Sequence, residues 1–314
     1  MVTLVQGKSS LKKKTALFRR CIPIYLIMLP GLIYLFINNY MPLPGLAIAF
    51  KQYNAGAGIW GSKWIGFKNF EYLFKTTDAW IITRNTILYN MAFIIVNTFM
   101  AILVAIILSE MEGKSRKVYQ SSILLPNLLS TVIIGYLVFA FLSTESGFVN
   151  KQILPAFGAE PISWYSEPSY WPFILVFVNA WRMVGYNCII YLATIMGFDR
   201  AYYEAAVIDG ASKWKQIKLI TLPMLKPTII MLTLMAISRI FYSDFGLFYQ
   251  VPMNQGALYS TTNTIDTYVY RGLLQLGNIS MSAAAGVYQS IVGFILVLGS
   301  NALVRKIDRD SALI

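Results

Sequence analysis

Residues 203–223 read YEAAVIDGASKWKQIKLITLP and form a polar stretch between two long apolar segments. Residues 204–206 favour a helix, and the acidic residue stands near the helix start, where the helix dipole stabilises negative charge. Gly210 can adopt the left-handed conformation that ends a helix, and Ser212 can cap the next one. Pro223 cannot sit in a helix interior, so we expect it to separate this stretch from the following span. The pattern predicts two short helices joined by a tight turn, which together form a stiff projection.

Six apolar segments of the chain are long enough to cross a membrane. A bilayer core about 30 Å thick needs roughly 20 apolar residues in a helix. The polar stretch lies between the fourth and fifth segments. We therefore predict an all-α polytopic membrane protein with six transmembrane helices, at Ile22–Asn39, Ile87–Leu108, Ser122–Leu142, Trp171–Ile195, Thr228–Phe248 and Ala283–Val304. The first segment follows a basic region, as a signal peptide would, but it lacks a small-residue cleavage site and is expected to remain as a helix.

The distribution of lysine and arginine predicts the orientation of these helices. Loops on the cytoplasmic side carry an excess of basic residues. With the N-terminus inside, 17 basic residues fall in the inside segments and 7 in the outside segments. Both termini and the polar stretch are thus expected in the cytoplasm. We divide the chain into a cytoplasmic N-terminal segment (1–21), a transmembrane domain (22–304) with a cytoplasmic loop at 200–225, and a cytoplasmic tail (305–314).

The composition excludes several functional classes. Hydrophobic residues make up 57% of the chain and charged residues 13%, against roughly 25% charged in an average globular domain. The net charge of +12 comes largely from residues that flank apolar segments, so it indicates topology rather than nucleic-acid binding. The chain has no histidine, the commonest general base and metal ligand. Cys21 and Cys188 are expected to be packing residues. We predict no catalytic residue and no metal site.

Two arginines lie near the middle of predicted spans, Arg182 in the fourth and Arg239 in the fifth. A central arginine costs at least about 2.5 kcal/mol on insertion scales, so each should face protein or water. In a straight fifth helix Asp244 would lie about 140° around from Arg239, so these two should not pair. The polar residues near the two arginines are predicted to line a solute path: Asn179, Arg182, Tyr186, Arg239, Tyr242 and Asp244. Two arginines favour an acidic sugar; their pairing with carboxylates or carbonyls is the alternative.

The polar stretch resembles the motif of ABC-importer permeases, the inner-membrane components of binding-protein-dependent transport systems. That motif reads Glu-Ala-Ala, three residues, Gly, nine residues, Ile, any residue, Leu-Pro. The residues that fill its positions are Glu204, Ala205, Ala206, Gly210, Ile220, Leu222 and Pro223. The resemblance implies that these residues, together with Asp209, form a coupling helix that sits in a cleft of an ATPase subunit, where Glu204 faces a basic residue.

Other segments are similar to maltose-type carbohydrate permeases of the lipoprotein and polysaccharide subgroup. The segments that carry this similarity are Trp64–Phe67, Ile190–Ala193, Ile265–Arg271, Ala285–Gly286 and Gln289–Ser290. The resemblance covers about residues 20–310. It implies the MetI-like type I ABC importer permease fold, an alternating-access mechanism and a location in the bacterial cell membrane.

The same resemblance implies the partners. These are a second homologous permease, expected to differ from this chain, two cytoplasmic ATPases that bind ATP and Mg²⁺, an external solute-binding lipoprotein, and membrane lipid. No cofactor is expected in this chain, and no nucleic acid. The implied function is the uptake of oligosaccharide or polysaccharide fragments.

Two alternative functions are left by the sequence. One is a permease of the same fold for a non-sugar solute, such as a peptide or polyamine. The other is a membrane-embedded glycosyl- or phosphotransferase, which the absence of histidine and of intramembrane acid pairs disfavours. An ion-coupled carrier is disfavoured because the chain shows no internal repeat.

Overall fold

The computed structural model describes residues 21–275 and 277–307, which are largely helical. The predicted N-terminal segment 1–21 lies outside these residues apart from Cys21, as do residues 308–314 of the predicted tail. The helices, numbered in chain order, are α1 (residues 21–35), α2 (Gly58–Gly61), α3 (Tyr72–Lys75), α4 (Thr77–Ser109), α5 (Gly113–Leu128), α6 (Thr131–Leu142), α7 (Leu154–Ala156), α8 (Trp171–Met196), α9 (Arg200–Ile208), α10 (Lys213–Gln216), α11 (Leu222–Ile237), α12 (Phe245–Gln250), α13 (Tyr259–Thr262), α14 (Ile265–Leu274) and α15 (Ile279–Ile307). Strands β1 (Lys51–Gln52) and β2 (Lys63–Trp64) form one antiparallel pair.

Five helical runs in the described part of the chain are long and apolar enough to cross a membrane. They are Cys21–Phe50, Thr77–Ser109, Pro168–Met196, Lys213–Ile237 and Ile279–Lys306. Helices α5 and α6 form a sixth span if this bent pair is counted as one. The runs that exceed a single α-helix continue through π or 3-10 turns, at Phe36–Tyr40, Leu43–Phe50, Pro168–Tyr170 and Ile217–Thr221. The prediction of a helical, polytopic membrane protein is confirmed.

The third predicted span is bent rather than straight. Helix α5 ends at Leu128, Leu129 has extended backbone, and α6 starts at an angle of 95° to α5. The Ser130 side chain accepts a hydrogen bond from the backbone N–H of Val132 and so caps α6. Pro126, inside the last turn of α5, removes one helical hydrogen bond. The expectation of one continuous helix over Ser122–Leu142 was wrong because a proline and a capping serine divide it.

The fifth predicted span, Thr228–Phe248, is also divided. Helix α11 ends at Ile237, and residues 238–244, which we call the fifth-span break, are non-helical. The Asp244 side chain then accepts from the backbone N–H of Leu247 at 3.1 Å and caps α12. The assumption that Arg239 and Asp244 lie on one straight helix was therefore wrong. Both residues lie in the fifth-span break, and its conformation sets the positions of their side chains.

The helix packing holds both divided spans against α8. Helix α4 packs along α8 through an apolar core that includes Tyr89, Phe93, Trp171 and Leu175. Helix α5 crosses α8 at Gly185, where a Cβ atom would lie only 1.9 Å from the backbone oxygen of Ile123. This glycine lets two backbones touch, a contact typical of helix pairs in membranes.

Two surfaces of the described chain remain uncovered. Residues 22–44, which include all of α1 except Cys21, are all exposed. An open groove of about 1100 Å³ runs between α4 and α8, and its lining is mainly apolar, with Leu88, Val96, Phe173 and Phe177 among its residues.

Candidate functional site

The predicted coupling loop, residues 200–225, folds as two helices around a tight turn. Asp199 caps α9 by accepting from the Ala201 N–H at 3.0 Å. Gly210 has a φ angle of +73°, the left-handed conformation that the sequence predicted. Ser212 then caps α10 by accepting from the Lys215 N–H. The predicted left-handed turn at Gly210 and the cap at Ser212 are confirmed. The predicted position of Glu204 near the helix start was wrong, because α9 begins at Arg200 after the Asp199 cap.

The expected separation of this loop from the next span was wrong. A π turn at Ile217–Thr221 joins α10 to α11, so one helical run extends from Lys213 to Ile237. Pro223 lies in the first turn of α11, directly after the π turn. Proline is tolerated in the first turn of a helix, where its missing N–H costs little. The π turn before it has its own, wider hydrogen-bond pattern. The second half of the loop, from Lys213 onward, is therefore a helical extension of α11.

Three side-chain contacts brace the coupling loop. The hydroxyls of Tyr203 and Thr221 lie 3.0 Å apart and join α9 to the π turn. The Gln216 side chain donates to the backbone oxygen of Ala211 at 3.1 Å, which closes the turn. Lys213 Nζ lies 2.6 Å from Glu110 Oε2 and so ties the loop to the end of α4. These contacts support a body that can move as a unit.

The tip of the loop presents apolar side chains to solvent. Ile208 is 87% exposed, and Val207, Trp214 and Leu219 are also exposed. Of the residues assigned to ATPase coupling, Ala206 and Ile220 are partly buried, whereas the following are exposed: Glu204, Ala205, Asp209, Gly210, Leu222 and Pro223. An apolar patch with a carboxylate beside it has the composition of a protein-docking surface.

Arg182, on α8, forms an ion pair with Asp244. Their closest atoms, Arg182 Nη1 and Asp244 Oδ2, are 2.8 Å apart, and the two side chains are 18% and 32% exposed. Arg182 also donates to Thr131 Oγ1 at 3.4 Å, at the start of α6. The guanidinium of Arg182 thus contacts the first residue of α6 and the residue that caps α12. The sequence left open whether Arg182 lines the solute path or pairs with a carboxylate, and in the structure it pairs with Asp244.

The other path residues on α8 lie in different environments. Asn179 is buried and accepts from the Asn97 side chain at 2.8 Å, so it joins α8 to α4. Tyr186 is about half exposed. The shared helical face predicted for Asn179, Arg182 and Tyr186 therefore runs from the protein interior to an open surface.

Arg239 and Tyr242 lie in the fifth-span break and are both exposed. Within residues 21–275 and 277–307, the guanidinium of Arg239 forms no ion pair and no side-chain hydrogen bond. The Tyr242 hydroxyl lies 3.3 Å from Ser290 Oγ on α15. A charged group without a partner in the middle of a predicted span requires water or an anion nearby.

Helix α14 contains the segment Ile265–Arg271, which carried the similarity to carbohydrate permeases. Arg271 is buried, donates to the side-chain oxygens of Asn254 and Asn263, and lies 4.1 Å from the ring centre of Tyr259. Burial lowers the pKa of the Arg271 guanidinium, which ordinarily lies far above neutrality. These contacts tie α14 to the segment that connects it to α12.

Sequence reasoning missed Thr131, Asn97 and the ion pair between Arg182 and Asp244. The sequence does contain a signal for the start of α12. Ser243 and Asp244 are capping residues inside an apolar segment, and Phe245 follows them. In the described part of the chain, no group of three or more histidine, cysteine or acidic residues could hold a metal ion.

The chain is similar to several known transport proteins. Residues 84–309 match the family described as binding-protein-dependent transport system inner membrane component. The chain is 32% identical over 288 residues to Protein LplB of Bacillus subtilis (strain 168), and the matched region covers 91% of this chain and 90% of that protein. It is 34% identical over 293 residues to the polygalacturonan/rhamnogalacturonan transport system permease protein YteP of the same organism, with 91% and 89% covered.

Two solved structures share the fold. One is a crystal structure of a bacterial ABC transporter involved in the import of the acidic polysaccharide alginate, with a TM-score of 0.86, 32% identity, and 94% of this chain and 99% of that chain covered. The other is the alginate transporter in complex with an alginate pentasaccharide-bound periplasmic protein, with a TM-score of 0.83, 33% identity, and 92% and 96% covered. The chain therefore belongs to the binding-protein-dependent transport system inner membrane component family and is a multi-span permease subunit of an ABC importer in the cell membrane, not an enzyme.

Proposed function

We propose that this permease imports acidic oligosaccharides and that the solute passes Arg182, Tyr186, Arg239 and Tyr242. Support for a glycan comes from two of these similar proteins, whose printed descriptions specify polygalacturonan or rhamnogalacturonan and alginate. All of these polymers contain uronate units or are described as acidic. The alternatives are a neutral oligosaccharide and a non-sugar solute.

The observation that carries the proposal is the exposed guanidinium of Arg239 in the fifth-span break. Arg182 and Asp244 neutralise each other, so one positive charge is left among these three groups. A lone cation at this depth is costly, and a passing carboxylate offsets part of that cost. A neutral solute offers no such carboxylate, so only water or another protein group would then meet the Arg239 charge.

The aromatic residues near the arginines suit a sugar ring. Tyr186 and Tyr242 are both exposed, and their rings and hydroxyls offer apolar faces and hydrogen-bonding groups together. Asn179 supports this surface from behind through its bond to Asn97. Asp244 holds Arg182 in place and can itself bind a sugar hydroxyl.

We further propose that the coupling loop docks into a cytoplasmic ATPase, which binds ATP and Mg²⁺. The exposed apolar side chains of Ile208 and Trp214, with Glu204 beside them, support this role. The continuous run from Lys213 into α11 would transmit movement of the ATPase to the fifth-span break. The division of the chain into segments 1–21, 22–304 and 305–314, with cytoplasmic termini, stays a prediction.

A second homologous permease and an external binding lipoprotein complete the proposed complex. The exposed residues 22–44 and the groove between α4 and α8 are both mainly apolar. Two such subunits could therefore pack together, with the first span of each in the groove of the other. The alginate-bound periplasmic protein in the related complex supports an external donor of the solute. The long segments at 40–86, 143–170 and 249–282 are the proposed docking surface for it.

Uptake by the reconstituted complex tests the substrate class. We expect proteoliposomes to take up a galacturonate trisaccharide in preference to an uncharged trisaccharide of the same linkage. Arg239→Gln should lower galacturonate uptake at least about tenfold, because a charge-assisted contact is lost, whereas Arg239→Lys should retain most of it. Stimulation of ATP hydrolysis by the loaded binding protein is the control for assembly. Equal uptake of both sugars, unaffected by Arg239→Gln, would contradict the proposal.

A further inference from the structure

The fifth-span break leaves backbone groups without helical partners inside a predicted membrane span. In such a span every backbone N–H and C=O must find a partner within the protein or in water. Short turns satisfy part of the break: the N–H groups of Ser238, Arg239, Ile240 and Tyr242 each donate to a carbonyl three or four residues earlier. The carbonyls of residues 240–242 and the N–H of Ser243 lie beyond the reach of such turns.

Side chains from three other helices bind these remaining groups. Asn90, on α4, donates through Nδ2 to the carbonyl oxygens of Ile240 at 3.0 Å and Tyr242 at 3.1 Å. Gln289, on α15 and buried, donates to the carbonyl of Phe241. The three consecutive carbonyls of the break are thus all bound by amide side chains.

Asp266, at the start of α14, binds the far end of the break. Its Oδ2 atom accepts from the N–H of Ser243 at 2.6 Å and from the Ser243 hydroxyl at 2.7 Å. The same oxygen accepts from Gln289 Nε2 at 3.2 Å, so the carboxylate and the amide form one network. The next residue after Ser243 is Asp244, which faces Arg182.

We infer that Asn90, Gln289 and Asp266 are positioning residues of the solute path. Together they hold the break in the conformation that exposes Arg239 and Tyr242 and turns Asp244 towards Arg182. The inference rests on the proposed function, because it assigns these three residues to the same path. None of them needs to contact the solute.

The chain offers a matched control for Asn90. Asn85 lies five residues earlier on α4 and donates through Nδ2 to two backbone carbonyls, those of Ser260 at 3.2 Å and Asn263 at 2.9 Å. Both carbonyls belong to the segment before α14 and lie outside the break. Asn85→Leu and Asn90→Leu therefore each remove an amide that donates to two carbonyls of another segment, and only the second change removes donors to the break. Asn90 also donates to the Thr86 carbonyl, and Asn85 also accepts from Arg84.

Thiol labelling at position 242 reports the conformation of the break. Tyr242→Cys is introduced into the full complex after Cys21 and Cys188 are replaced by alanine, and labelling by a membrane-impermeant maleimide is timed. We expect Asn90→Leu to change the labelling rate at least about tenfold, since two carbonyls of the break lose their donor. In a complex that retains Tyr242, the same change should raise the apparent KM for the galacturonate trisaccharide by a similar factor. Asn85→Leu should lower thermal stability to a similar degree and leave both quantities within about twofold of the unmutated complex.

Gln289→Leu provides an independent test if Asn90→Leu prevents assembly, because it frees a different carbonyl of the same break. The inference is overturned if the assembled variants label at the rate of Asn85→Leu, since the three side chains would then have no more than a general effect on stability. Failure of the proposed function looks different: the unmutated complex would not import the galacturonate trisaccharide, while the labelling comparison would still decide the positioning role.

Discussion

The ion pair between Arg182 and Asp244 yields the sharpest energetic prediction. Asp244→Asn removes the negative charge and keeps the side-chain oxygen that caps α12, because asparagine caps helices about as well as aspartate. The change therefore isolates the charge from the cap. Asp244→Ala removes both, and the difference between the two variants measures the cap alone.

The magnitude follows from the distance and the exposure. At 2.8 Å and an effective dielectric constant of about 20, the Coulomb attraction is about 6 kcal/mol, which is an upper bound because desolvation opposes it. Removing one partner of a fully buried pair costs about 3–5 kcal/mol, and an exposed pair contributes about 0–1 kcal/mol. With side chains 18% and 32% exposed, we expect Asp244→Asn to cost about 2 kcal/mol. Asp244→Ala should cost about 1 kcal/mol more.

A double-mutant cycle measures this coupling. Unfolding of the purified chain in mixed detergent micelles, followed by tryptophan fluorescence, gives the free energy of unfolding for the unmutated chain, Arg182→Gln, Asp244→Asn and the double variant. We expect the double variant to be no less stable than either single variant, because no unpaired charge remains, so the coupling energy is about 2 kcal/mol. Additive losses, within about 0.5 kcal/mol, would refute the assignment of the ion pair as a stabilising contact.

Three further predictions concern helix packing and the coupling loop. Gly185→Ala forces the Ile123 carbonyl to move by about 1 Å or more, so we expect a loss of about 1–3 kcal/mol in the same unfolding assay; an unchanged value would mean that α5 and α8 do not touch there. Gly210→Ala places a side chain on a residue with φ +73° and should cost about 1 kcal/mol, together with a weaker stimulation of ATP hydrolysis by the loaded binding protein, whereas full stimulation would argue against a rigid loop. Lys213→Ala breaks an exposed ion pair with Glu110 and should change stability by less than about 1 kcal/mol, so a larger loss would show that the bracing of the loop depends on this contact.

Features set by neighbouring residues could be predicted from the sequence. Gly210 and Ser212 carry local signals, a left-handed turn and a cap, and both take the predicted conformation. Helix α8 also matches its prediction closely, since Trp171–Met196 replaces the expected Trp171–Ile195. In each case the determining interactions lie within a few residues.

The divided spans could not be predicted in the same way. Hydropathy averages over a window, so the apolar residues around Ser130 and Ser243 concealed two helix ends. The partners that stabilise the fifth-span break, Asn90 and Gln289, lie 150 and 48 residues from the carbonyls they bind. Only the fold brings such residues together, and for that reason Arg239 and Asp244 were placed on a straight helix.

The exposure of α1 has a consequence for biogenesis. Because residues 22–44 are all exposed, the free energy that keeps this segment in the bilayer comes mainly from contacts with lipid. The run Cys21–Phe50, which includes α1, has a mean hydropathy of 2.0, which suits a transmembrane helix. We therefore expect the translocon to insert the first span, and to fix its direction, while the remaining helices are still being synthesised. The inserted span then remains available for contact with another subunit. We therefore expect membrane insertion of the first span not to require assembly of the complex.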